Sequence, residues 1–367
     1  MRFFLFISII QSILFLGHWF FYVTLVRFIG ITSSTKLLLL KITLGLLSIS
    51  LVLTSILAFR YSNLLIRCIY TAATSWLGFL YLFILAAILC WIFSGTANLF
   101  RFPLDRKILF EILIGVALIA SVYGFINGRV IRVTQISLQI PHLPIQWKDK
   151  TVVWVSDTHL GQVRGYGFSQ KIAGQVESLH PDILFIGGDL YDGVAVDLDR
   201  VIQPFSKLSV PYGIYFITGN HEEFFDHTSY LDAVRRAGVR VLNNEKVDLD
   251  GLQIIGVDYR DSTREEQFRS ILQQVGIDRR RPSILLKHSP LQLQVAEEEG
   301  ITLQLSGHTH HGQVFLFRFI TSWIYHGYDY GLKRFSDLLI YTSSGAGTWG
   351  PPMRIDTKPE IVVIRFI

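Results

Sequence analysis

Cysteine is almost missing from this chain: of 367 residues only Cys68 and Cys90 are cysteines, and both stand in the apolar first third. From residue 129 onward there is none, which excludes a disulfide framework and a thiolate zinc site from that part. Acidic side chains are just as scarce at the start. Residues 1–128 hold two, Asp105 and Glu111, against nine Lys and Arg, a balance of +7. The remainder holds 27 acids and 25 bases, a balance of −2. The net charge of +5 thus comes from loops that flank apolar runs. A groove that tracks nucleic-acid phosphates needs the opposite distribution, so no nucleic-acid partner is expected.

What the first third does have is long apolar runs. Four are long enough to cross a bilayer, which takes about 20 helical residues. They lie near Phe3–Val26, Leu37–Phe59, Tyr70–Phe93 and Ile108–Ile126. The first is too long for a signal peptide, lacks a small-residue cleavage site and is followed by three more, so it reads as retained. His18, Lys41 and Glu111 are the ionisable groups in or at the edge of these runs. So few such groups argue against a transport path. The basic residues divide evenly between the two sides, so the side that carries the C-terminal part stays open; the densest cluster, Arg101–Lys107, favours a cytoplasmic loop there and the C-terminal part outside. The expected organisation is a membrane domain over 1–128, a juncture over 129–148 and a catalytic domain over 149–367.

After Pro141 and Pro144, short apolar strands alternate with amphipathic helices. Strands are expected at Thr151–Ser156, Asp182–Ile186, Gly213–Thr218, Gln253–Val257, Ser283–Lys287 and Leu303–Ser306. Val314–Phe317, Leu338–Thr342 and Glu360–Phe366 follow with less helix between them, as a second sheet that completes a sandwich. Val130–Ile140 also alternates like a strand. The fold class is α/β: two mixed sheets flanked by helices, preceded by four membrane helices.

Polar clusters close five of the strands: Asp157-Thr158-His159, Gly188-Asp189-Leu190-Tyr191-Asp192, Gly219-Asn220-His221-Glu222, Lys287-His288 and Gly307-His308-Thr309-His310-His311. Ligands bind at that edge in layered α/β folds. Carboxylate, imidazole and amide oxygen without thiolate suit divalent ions such as manganese, iron or zinc. Two such ions clamp phosphoryl oxygens and activate a bridging water.

These motifs, D-x-H, G-D-x-x-D, G-N-H-[DE], H and G-H-x-H in order, resemble the calcineurin-like metallophosphoesterases. Gly307–Gln313, Tyr328–Gly331 and Ser344–Arg354 are similar to the bacterial YkuE/YaeI-like subgroup. The resemblance implies that Asp157, His159, Asp189 and His310 hold one metal ion, and that Asp189, as a bridge, with Asn220, His288 and His308 holds a second. It implies that His221 contacts the phosphate and protonates the leaving oxygen, oriented by Asp192, whose carboxylate is expected to raise the histidine's pKa. The implied protein is a multi-pass protein of the bacterial cell (inner) membrane that hydrolyses a phosphate ester, a phosphodiester or lipid-linked substrate, by attack of the metal-bridging hydroxide. A UDP-2,3-diacylglucosamine pyrophosphohydrolase-like enzyme and a non-catalytic membrane regulatory module are the alternatives.

Several residues keep two readings. Arg354 is either a guanidinium for a substrate phosphate or a solvated loop charge. His311 stands where the subgroup commonly has glycine, and either touches substrate or is a polar neighbour of the metal ligands. Tyr191 and Phe224-Phe225 form an apolar rim or belong to the core.

Overall fold

The structure, a computed structural model, describes residues 2–224 and 227–367, without the side chains of residues 2–4 and 6. Phe225 lies outside the described residues. The chain divides into two compact units, one of residues 1–126 with 350–353, the other of residues 127–349 with 354–367.

The first unit is built on four helices: α1 (Arg2–Ile29), α2 (Ser34–Arg60), α3 (Leu64–Leu99) and α4 (Arg106–Asn127). All four are long and apolar enough to cross a membrane. Breaks between them follow local chemistry. Gly30 takes a left-handed φ of 73° after α1, Asn63 Oδ1 accepts the Ile66 N–H to cap α3, and Asp105 Oδ1 accepts the N–H of Lys107 and Ile108 to start α4. Polar groups inside are satisfied between helices. Trp76 Nε1 donates to His18 Nε2 at 2.9 Å, His18 Nδ1 donates to the Leu14 carbonyl at 2.7 Å, and Trp91 Nε1 donates to Thr24 Oγ1 at 2.9 Å. His18 is thus a helix-satisfied group.

The second unit is a sandwich. Its strands are β1 (Arg132–Leu138), β2 (Thr151–Val155), β3 (Ile183–Gly187), β4 (Ile214–Ile217), β5 (Arg240–Val241), β6 (Glu245–Leu249), β7 (Leu252–Gly256), β8 (Ser283–Leu286), β9 (Leu303–Ser306), β10 (Gly331–Phe335), β11 (Leu338–Thr342) and β12 (Glu360–Phe366). Its helices are α5 (Tyr166–Ser178), α6 (Leu198–Ser206), α7 (His227–Arg236), α8 (Glu265–Gln274), α9 (Leu293–Glu298) and α10 (Phe317–Ile324). The first sheet has the order β1-β12-β2-β3-β4-β5 and the second β10-β11-β9-β8-β7-β6. Within them β2, β3, β4 and β5 run parallel, as do β7, β8, β9 and β11.

Strand alternation explains the layers. Val152, Trp154, Ile183 and Phe185 point into the space between the sheets, where they meet Ile254, Ile284, Leu286, Leu303 and Leu305. Their neighbours Val153, Val155, Leu184 and Ile186 face outward into a core shared with residues of α5, α6 and α7. Both faces are covered, which is why these strands read as unbroken apolar runs. Packing is close: a Cβ on Gly187 would lie 2.1 Å from the Trp154 ring.

Three sequence expectations are corrected. A second sheet exists, but Glu360–Phe366 is not part of it: β12 returns to the first sheet, parallel to β1 and antiparallel to β2. The second sheet instead recruits Leu252–Gly256, Ser283–Leu286 and Leu303–Ser306. Val314–Phe317 is no strand. Gln313 and Leu316 take left-handed φ values of 59° and 76°, which break an extended run, and the chain enters α10.

Candidate metal centre

The predicted ligands come together at the C-terminal ends of parallel strands from both sheets. β2 delivers Asp157 and His159, β3 delivers Asp189, and β4 delivers Asn220 and His221. β8 and β9 deliver His288, His308 and His310 from the facing sheet. Three groups form with ligand atoms within 4.8 Å of one another: Asp157, His159 and His310; His159, Asp189 and His221; Asp189, His288 and His308.

Backbone conformation brings them inward. Asp157, His159, Asp189, His308 and His310 have φ of 54, 49, 49, 71 and 48°, so five of the seven predicted ligands sit in the left-handed region. Such residues are uncommon outside glycine, and they gather where function over-determines the backbone. Gly188 shows how tight the turn is. With φ of 85°, a Cβ there would stand 2.7 Å from both Gly219 N and His288 Nδ1.

Hydrogen bonds hold Asp157, Asp189, His288 and His310. Asp157 accepts the His308 N–H at 2.9 Å, and Asp189 Oδ1 accepts the His221 N–H at 2.9 Å. His288 Nδ1 donates to the Gly187 carbonyl at 2.7 Å and leaves Nε2 facing Asp189 Oδ2 at 3.3 Å, without hydrogen-bond geometry. His159 Nε2 and His310 Nε2 approach to 3.0 Å. On the far side of each ring, His159 Nδ1 lies 3.4 Å from Asp192 Oδ1 and His310 Nδ1 accepts from Arg354 Nη2 at 3.1 Å. Arg354 is thereby placed. Fully buried, it also donates to the carbonyls of His310, Ser344 and Gly347 at 2.7, 2.7 and 2.6 Å. It is neither a solvated loop charge nor free for a substrate phosphate: its donors are committed to a ligand and the loop behind it.

His221 is oriented differently from expectation. Its Nδ1 donates to the backbone carbonyl of Asp192 at 3.0 Å, while the Asp192 carboxylate is 4.0 Å away and closer to His159. The expected rise in its pKa is also absent. Burial lowers it, against the opposing pull of Asp189. His311 turns away from the predicted ligands, stacked on Tyr330 with ring centroids 4.4 Å apart and Nε2 3.9 Å from Asp329 Oδ2. Tyr191 is core, fully buried against Tyr230, and Phe224 is exposed beside His221, centroids 4.6 Å apart.

Sequence reasoning assigned no role to Glu222. It is fully buried, and its carboxylate accepts the N–H of Gly219, Asp189 and Tyr191 at 2.7, 3.0 and 3.1 Å, tying the loops after β3 and β4 together. Burial, with Asp189 beside it, pushes its pKa up to about 7. Its place in G-N-H-[DE], where only an acid follows the histidine, was the available clue. Glu360 does similar work for the loop at 344–354, accepting the Ser344 N–H at 2.9 Å.

Electrostatics separate the ligands. Burial presses both Asp157 and Asp189 upward; at Asp189 the imidazoles of His288 and His221 overcome it and hold the carboxylate well below its usual range, while Asp157 rises. Burial opposes charge on His288 too, yet Asp189 and Asp157 carry it up to about 9. His308 is pushed down to about 3 by burial and then by the charge of His288.

The residues fit divalent metal. Asn220 Oδ1, His288 Nε2 and His308 Nδ1 are buried atoms with no hydrogen-bond partner, an arrangement that is unfavourable unless something electrophilic meets them. All are oxygen or imidazole donors, and no thiolate is near.

Comparison with known proteins agrees. The model of the calcineurin-like phosphoesterase family matches residues 150–312. An uncharacterised metallophosphoesterase of Campylobacter jejuni is 30% identical over 72% of this chain and 71% of its own. A transmembrane protein with a metallophosphoesterase domain from Danio rerio is 30% identical over 67% of this chain and 60% of its own. The metallophosphoesterase YkuE of Bacillus subtilis is 28% identical over 66% and 89%. With the motif order, the sandwich and the donor cluster in place, this chain belongs to the calcineurin-like metallophosphoesterases, as a membrane protein with four apolar N-terminal helices.

Proposed function

We propose that the protein is a membrane-anchored phosphoesterase whose site holds two divalent ions of manganese, iron or zinc. Asp157, His159, Asp189 and His310 would hold one, and Asp189, Asn220, His288 and His308 the other. The observation that carries this is the set of buried polar atoms without hydrogen-bond partners, Asn220 Oδ1, His288 Nε2 and His308 Nδ1, of which the two imidazoles stand within ligand distance of Asp189. Bound divalent ions supply charge for the phosphoryl oxygens and lower the pKa of water.

The chain's own residues do the rest. With Nδ1 fixed on the Asp192 carbonyl, His221 keeps Nε2 as the nitrogen that gives a proton to the departing oxygen. Glu222 and Arg354 keep the ligand loops in register. The four apolar helices keep the site in a membrane protein, which favours a lipid-linked phosphoester as substrate.

The test is hydrolysis of bis(p-nitrophenyl) phosphate and p-nitrophenyl phosphate by the full chain in detergent with manganese, with Asp189→Asn and His221→Ala alongside. Turnover that needs metal and disappears in both variants supports the reading. Turnover that persists in Asp189→Asn overturns it.

A further inference from the structure

Among the described residues of the second unit, a concentrated apolar surface is exposed on the segment that follows the ligand turn. None of the residues of α10 is buried. Leu316, Phe319, Ile320, Trp323 and Ile324 are 40, 55, 49, 79 and 46% exposed. Their three- and four-residue spacing puts them on one side of the helix. Two polar residues of α10 are engaged with the domain: Thr321 Oγ1 donates to Asp329 Oδ2 at 3.4 Å, and Arg318 pairs with Asp356 at 2.9 Å. The helix is therefore inverted relative to a water-facing one.

Two aromatic rings carry this surface to the site. Tyr325, which ends α10, stands edge-on to His308 with centroids 6.1 Å apart. Trp349 is 59% exposed, 6.0 Å from the His221 ring, and is tied to the turn before α10: its N–H and carbonyl bond to the Gln313 side chain at 2.9 and 2.8 Å.

What covers the surface follows from where the chain leaves its last apolar helix. Asn127, the final residue of α4, donates through Nδ2 to the carbonyls of Arg354 and Thr357 at 3.0 and 2.9 Å. The next carbonyl, of Gly128, accepts from Arg164, which also reaches Thr348 Oγ1 at 3.3 Å. The exit from the fourth apolar helix is thus bonded to the same loop that holds Trp349 and Arg354. Only four residues lie between α4 and β1, a reach of about 14 Å at full extension. With α4 taken as a membrane span, the leaflet at its end lies within that reach of β1, and Trp with Phe is the side-chain chemistry that settles at a bilayer interface.

We infer that α10 and Trp349 dock on the membrane leaflet, with the apolar stripe among the upper acyl chains, so that a phosphoester carried by a lipid enters the site from the membrane plane. The route of entry rests on the phosphoesterase reading; the docking does not, and it is measured without activity.

The experiment uses the full chain with Cys68→Ser, which leaves only the fully buried Cys90. Trp323→Cys, Phe319→Cys and, as a control on the opposite edge, Arg280→Cys each carry a nitrobenzoxadiazole label. The labelled chains are placed in phosphatidylcholine–phosphatidylglycerol nanodiscs with and without a nitroxide-bearing lipid. Docking predicts quenching at 319 and 323 several-fold stronger than at 280, with blue-shifted emission. Quenching at 319 and 323 no stronger than at 280 overturns the inference. If those labels are also shielded from aqueous iodide, the face belongs to a second copy or another protein, and the inference equally falls. Because both substitutions are at exposed positions and each is read separately, loss of one variant to misfolding leaves the other to decide.

Discussion

Arg354 donates to His310 twice, to its carbonyl at 2.7 Å and to ring Nδ1 at 3.1 Å, from a position with no solvent exposure. A ring held this way cannot swing, and its Nε2 faces His159. Arg354→Lys keeps the charge but loses the planar fork that reaches three carbonyls and a ring nitrogen at once. Metal affinity is expected to fall about 10–100-fold, with KM unchanged once metal is saturating. Metal content by mass spectrometry beside steady-state kinetics checks this; a higher KM at wild-type affinity would return Arg354 to the substrate.

The Asp192 backbone, not its carboxylate, receives the His221 Nδ1 proton. Asp192→Asn should therefore leave the orientation of His221 intact and act mainly through His159, whose Nδ1 lies 3.4 Å from that carboxylate. His221→Ala removes the proposed proton donor and should lower kcat by about 10²–10⁴-fold on a substrate with a poor leaving group, and by less on nitrophenyl esters. Equal losses for the two variants, across both substrates, would count against this division.

Glu222 joins three N–H donors from two ligand loops. In Glu222→Gln the amide oxygen can serve one side, while its NH₂ group meets an N–H on the other. The expected loss is about 1–3 kcal/mol, seen as a lower melting temperature of the detergent-solubilised chain, together with weaker metal retention. Unchanged melting would mean that the loops are held elsewhere.

His288, carried up to about 9 by its carboxylate neighbours, holds a proton at neutral pH that a metal ion must displace. Affinity for manganese should rise with pH through neutrality and level off above about 9. His308, pushed down to about 3, contributes no such dependence in this range. Calorimetric titration in buffers of different ionisation enthalpy counts the released protons; a count of zero near pH 7 would contradict the assignment.

Much of this was legible beforehand. The strands delivering the predicted ligands are buried on both faces, so they stand out as apolar runs, and their ends carry dense Asp, Asn and His clusters. What escaped did so for physical reasons. β5 is two residues long, and β10 is an edge strand whose residues are half-buried or exposed, so neither shows an apolar pattern. The run Val314–Phe317 has strand composition but left-handed backbone just before it, at Gln313, and within it, at Leu316. The Asp192 carboxylate and the Arg354 guanidinium each meet a histidine far away in sequence, His159 and His310, and which atom of a residue makes the contact is not written in spacing. Glu222 was visible in its motif, but its three backbone partners appear only when two loops meet.

The position of β12 has a consequence for biogenesis. β12 is inserted between β1 and β2, pairing with both. The opening strand therefore has no partner until residues 360–366 have left the ribosome, although all four apolar helices and every metal ligand emerge earlier. A nascent chain stalled before β12 would hold all seven predicted ligands with one sheet still split. Closure of the first sheet thus comes after the four apolar helices and the predicted ligands have been made, so the order of synthesis separates the gathering of the ligand loops from the pairing of the strand that follows the last apolar helix.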